Sequence, residues 1–152
     1  MTTIKENLNE RILSHLNQTV SEAVTFFANA DETLFDEHHS AHDVLAQLVF
    51  WHEQYVAVAQ AIVDRRIPEL KAGVFDQLNR TASSGFSSDS MTMLAYDLAC
   101  LQREFVSLLH QIPDWTINFP IKADSTPCSL NQRLLEIDAH IRQHVLRLKR
   151  CR

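Results

Sequence analysis

Four stretches of this chain place apolar side chains three and four residues apart for about twenty residues each, a period that dictates helices with one face to bury. The first carries Leu8, Ile12, Leu16, Val20, Val24 and Phe27 behind the T-x-x-E capping box of Thr3 and Glu6, and ends near Ala28. The second carries Leu45, Leu48, Val49, His52, Tyr55, Val56, Ala59 and Ile62, with Ser40 as its cap and Asp64 near its end. The third carries Leu94, Leu98, Leu101, Phe105 and Leu108, is capped by Asp89 or Ser90, and stops before Pro113. The last, opened by a capping box at Ser129–Gln132, turns Leu130, Leu134, Ile137, Ile141, Val145 and Leu148 inward. Four amphipathic helices bury their stripes most simply as an all-α four-helix bundle.

The linkers fit that reading. With 2 Gly and 4 Pro in 152 residues, the chain lacks the turn residues that a sandwich or barrel requires. Between the second and third long helices, Pro68 and Gly73 break the period. A short helix is expected over Phe75–Thr81, with Ser83-Ser84-Gly85 and Ser87-Ser88 as loop. Asp114 to Cys128 reads as a crossing loop with a short extended piece at Trp115-Thr116-Ile117. No repeat or second composition regime interrupts residues 1–152, so one domain is expected.

Charge and cysteine usage exclude several functions. A net charge of −5 is opposite to the basic footprint of a nucleic-acid binder. The cations near the C-terminus (Arg147, Lys149, Arg150, Arg152) complement the dipole of the last helix. Cys100, Cys128 and Cys151 are too few and too scattered for a disulfide framework. No basic segment leads into an apolar run, and no stretch approaches the ~20 apolar residues of a membrane span. A cytoplasmic protein with reduced thiols and no membrane partner is expected.

The histidines carry most of the chemical signal. His140 and His144 stand four apart on the last helix, so both imidazoles lie on one face bordering the core, able to share a metal or to sit at the bundle rim. His52 falls inside the apolar stripe of the second helix, after Trp51, where a buried, hydrogen-bonded histidine competes with a ligand. Glu53 follows it on the solvent side, where a carboxylate beside a site could act as a base. His38, His39 and His42 cluster at the start of that helix, where a neutral form is favoured. His15 and His110 stand alone. Cys100 reads as a small core hydrophobe, and Cys128, in a loop, has no neighbouring histidine in sequence to activate it.

The run Asp43-Val-Leu-Ala-Gln-Leu-Val-Phe-Trp-His52, then Phe75-Asp-Gln-Leu-Asn79 and the closing His140-Ile-Arg-Gln-His144, resembles the DinB/YfiT-like superfamily. It is most similar to the DfsB/ClbS branch, where a V-L-A-H-L-x-x-W-H pattern is typical. The resemblance implies an antiparallel four-helix bundle, often a homodimer. It also implies a divalent metal such as zinc or nickel held by three histidines, one on the second helix and the H-x-x-x-H pair on the last. Some members are thiol-dependent transferases on small electrophiles, and the ClbS-like branch includes a hydrolase that opens a reactive cyclopropane and protects DNA from a genotoxin. Here Gln47 stands at the second-helix ligand position, and glutamine is a poor zinc ligand. His52 lies about 140° round the helix from it. The expected metal set is therefore His140 and His144 with water or a carboxylate, a set rebuilt around His52, or none, with a weak or absent site favoured. The expected function is hydrolysis or transfer on a small electrophilic molecule, of resistance or detoxification type. The alternatives are a non-catalytic small-molecule binder and a dimeric scaffold.

Overall fold

The computed structural model describes residues 4–152 and contains five helices: α1 (Ile4–Asn29), α2 (Ala41–Val63), α3 (Phe75–Gly85), α4 (Met91–Leu109) and α5 (Leu130–Arg150). Local chemistry fixes the starts of three of them. The hydroxyls of Ser40, Ser90 and Ser129 accept from the amides of Asp43, Met93 and Gln132, each satisfying one orphan N–H. The capping box expected at Thr3 and Glu6 lies outside the described side chains.

α1 packs against α4 and α5, and α2 packs against α4 but touches α5 only lightly. The ring order is therefore α1, α4, α2, α5, with α1 and α2 at opposite corners. Fully buried Leu16, Phe27, Leu45, Leu94, Leu98, Phe105, Leu134, Ile141 and Leu148 fill the centre. Each such side chain contributes about 1.5–3 kcal/mol relative to its exposed state. A polar clasp joins α1 to α5: the Thr19 hydroxyl donates to Asp138 at 2.6 Å, and Arg142 donates to the same carboxylate, which is buried.

Three expectations need correction. Leu8 is half exposed, because it lies where the first stripe runs past the end of the packed core. Leu101 and Ile62 are only half-buried at the edges of their stripes. α3 runs through Ser83, Ser84 and Gly85 rather than stopping at Thr81. Leu78 and Ala82, four apart, are both buried, and their packing carries the helix through residues of weak propensity. Just before it, Gly73 takes φ +127°, a conformation that glycine adopts without strain.

The crossing segment between α4 and α5 plugs one end of the bundle. Phe119 is fully buried, and buried Trp115 donates its indole N–H to the Ile112 carbonyl at 2.9 Å. The extended piece expected at Trp115–Ile117 is realised as an isolated bridge one residue on, Asn118 against Ser129. The Leu130 and Asn131 amides bond back to Ile117 and Trp115. Among the described residues no helix is long and apolar enough to cross a membrane.

Candidate functional site

Gln47, Trp51 and Tyr55 are spaced four apart on α2 and form one stripe, whose last member, Tyr55, also meets Phe105 of α4. Two of them dock α3. The Gln47 amide donates to Ser83 Oγ at 3.4 Å, and the Trp51 indole N–H donates to Asn79 Oδ1 at 2.8 Å. The third, Tyr55, reaches past the end of α3 toward α5.

Because α2 and α5 hardly meet, the space between them stays open. It is a cavity of about 350 Å³, walled by Trp51 and Tyr55 of α2, Phe75 and Asn79 of α3, Ile121 of the crossing segment, and Arg133, Glu136, Ile137 and His140 of α5. The walls are mainly apolar and aromatic, with the Trp51 and Phe75 rings 5.5 Å apart. Lys122 stands 5.1 Å over the Phe75 ring.

The α5 wall is held rigidly. Arg133, buried, donates through Nε to the Phe119 carbonyl at 3.0 Å, through Nη2 to the Thr126 carbonyl at 3.2 Å, and through Nη1 to Glu136 at 3.0 Å. One guanidinium thus ties the crossing segment to α5. Burial pushes the Tyr55 phenol far above its ordinary range, with Arg133 opposing the shift, so the hydroxyl stays protonated. No hydrogen bond engages that hydroxyl among the described residues. His140 meets solvent at its outer edge, but the atoms crowding its inner side lower its pKa, and Arg147 lowers it further. Its imidazole is therefore neutral at pH 7.

His140 and His144 are brought together as expected, ring centroids 4.5 Å apart and nearly perpendicular. Burial, then His140 and Arg147, push His144 down to about 4, with Asp36 opposing. Its Nδ1 is buried without a hydrogen-bond partner. Asp36 itself is buried in the loop before α2, where one carboxylate oxygen accepts the amides of His38 and His39.

His52 does not join this pair. It lies on the α4 side of α2, buried, with Nε2–H donating to Gln102 Oε1 at 2.8 Å, and Gln102 in turn donating to Asn17 at 2.7 Å. Its ring packs edge-on against Tyr55 and Phe105. Burial lowers its pKa to about 4, the Gln102 bond opposing. Glu53 also lies outside the cavity wall. It is exposed, within electrostatic reach of Asp97 and Lys71, and partial burial followed by Asp97 raises its pKa.

The residues also do not fit a three-histidine metal centre. The second-helix ligand position that the resemblance implies is an amide engaged with Ser83, and His52 bonds toward α4. Among the described residues no three His, Cys, Asp or Glu side chains converge as a ligand set. Of the three ligand positions that the resemblance implies, His140 and His144 carry histidine. Tyr55, Asn79, Arg133 and Glu136 were missed in the sequence as site residues. Signals in the sequence point to two of them: the Gln47–Trp51–Tyr55 spacing to Tyr55, and an arginine set beside the apolar stripe of α5 to Arg133.

No family model matches the sequence, and no curated protein matches it. Among solved structures, the crystal structure of an uncharacterised protein from Escherichia coli UTI89 is similar in fold, with a TM-score of 0.74 at 14% identity over 92% of this chain and 90% of that one. At that identity the likeness concerns the bundle and the order of its elements.

Proposed function

We propose that this chain captures a small, apolar-bodied molecule in the cavity between α2, α3 and α5, within a DinB/YfiT-like framework whose metal-ligand position has become the Gln47 contact to α3. The observation that carries this reading is the cavity itself: about 350 Å³, aromatic on two sides, with a few polar groups converging on it. That size and lining are typical of small-molecule sites. The resemblance to the DfsB/ClbS branch supports a protective role against a reactive small molecule in the cytoplasm.

Hydrolysis of a bound electrophile is the second reading, and one observation favours it. His140 presents a neutral imidazole at the cavity wall with no hydrogen bond holding either nitrogen among the described residues, the state a general base needs. In that reading His140 takes a proton from water attacking the electrophile, and the unengaged Tyr55 hydroxyl donates to the leaving atom.

The test fills the cavity. Ile137→Trp would abolish calorimetric binding of naphthalene-type probes while leaving the helical circular dichroism unchanged. Unaltered binding in that variant would refute the site. Loss of hydrolysis in His140→Ala with retained binding would separate the second reading from the first.

A further inference from the structure

The cavity wall is rich in unused donors. Three of the five Arg133 N–H groups are committed to Phe119, Thr126 and Glu136, leaving two. Asn79 spends its oxygen on Trp51, so its amide N–H groups remain. The Tyr55 hydroxyl has no partner among the described residues and borders the cavity. Acceptors are scarcer: Glu136 takes Arg133 on one oxygen and faces the Cys128 thiol, at 4.0 Å, with the other.

Charge points the same way. Arg133 and Glu136 neutralise each other, whereas Lys122, next to the lining at the Phe75 ring, contacts the adjacent Ala123 carbonyl and, among the described residues, no carboxylate. Within the lining the two charges therefore cancel, and Lys122, at the Phe75 ring, is the neighbouring cation, in a chain of net charge −5. A single cation beside a neutral lining suits a monoanion better than a dianionic phosphate. The Trp51 and Phe75 rings offer flat surfaces to a planar body.

Building on the cavity-binding reading, we propose that the ligand class is a planar carboxylate. Its aromatic or conjugated body lies against Trp51 and Phe75, and its anionic end faces the Tyr55 hydroxyl, the free Arg133 N–H groups and Lys122.

Three probes with one body and different ends test this: 2-naphthoate, 2-naphthamide and 2-naphthylmethylammonium, titrated calorimetrically at pH 7 with the Trp51 indole N–H followed by NMR. The expected order places naphthoate about tenfold above the amide, the gain of a charge-assisted hydrogen bond, with the ammonium weakest. Tyr55→Phe would weaken naphthoate about tenfold, and Lys122→Gln about threefold, with the amide unaffected by the latter. An ammonium probe that binds as tightly as naphthoate overturns the carboxylate assignment and leaves cavity binding intact. Failure of all three probes to shift the Trp51 signal overturns both.

Discussion

The two seams that α2 forms with its neighbours in the ring differ in kind. Against α4 it closes tightly: the His52 and Tyr55 rings pack on buried Phe105, and His52 is sealed and hydrogen-bonded to Gln102. Against α5 it stands off, and α3 and the crossing segment bridge the gap around an aromatic cavity. Two buried histidines differ as well. His52 and His144 are both lowered to about 4, but His52 has a partner and His144 keeps an orphaned Nδ1. The unsatisfied His144 lies outside the cavity lining, within electrostatic reach of Asp36 in the loop before α2.

If one seam is structural and the other open, substitutions should separate them. Phe105→Ala in the closed seam should cost about 3–5 kcal/mol of unfolding free energy in urea, whereas Phe75→Ala, on a half-exposed ring, should cost about 1 kcal/mol or less. Equal losses would erase the distinction.

The pH dependence sharpens the same contrast. Folded, His52 stays neutral down to about pH 4. Unfolded, it protonates near 6.5. Its contribution is therefore full above pH 6.5 and falls away as pH drops toward 4, by about 3 kcal/mol in total. His52→Leu should flatten that slope in urea titrations taken across this window. A slope as steep as in the wild type would show that His52 is not sealed.

Smaller effects probe the open side. Trp51→Phe removes the bond to Asn79 and should cost about 1 kcal/mol, with faster amide exchange in α3 than in α4. Tyr55→Phe removes a hydroxyl without a partner among the described residues and should change stability by less than about 0.5 kcal/mol, measured by thermal unfolding. A loss of 2 kcal/mol there would mean that the hydroxyl is structural.

Much of the bundle could be read in the sequence because apolar period and serine caps are local signals. Leu130, Leu134, Ile137, Ile141, Val145 and Leu148 all turn inward, and Ser40, Ser90 and Ser129 cap as their spacing demands. The site was less legible. That His140 and His144 meet follows from a four-residue spacing within one helix. That Tyr55 and Arg133 share a wall depends on how far α5 stands from α2, which the Asp114–Cys128 crossing and α3 decide through long-range contacts. Tyr55 therefore read as core, and Arg133 drew no notice. His52 was ambiguous in sequence because burial and ligation both place a histidine on an apolar stripe. Only its neighbour Gln102, fifty residues on, distinguishes them.

The most direct test of the open seam is an isotope-filtered nuclear Overhauser experiment on the protein saturated with 2-naphthoate. Cross-peaks from the probe to the Ile137 methyls and to the Trp51 and Phe75 rings are the predicted result. Cross-peaks confined to residues elsewhere on the surface, or to the His52 seam, would contradict it.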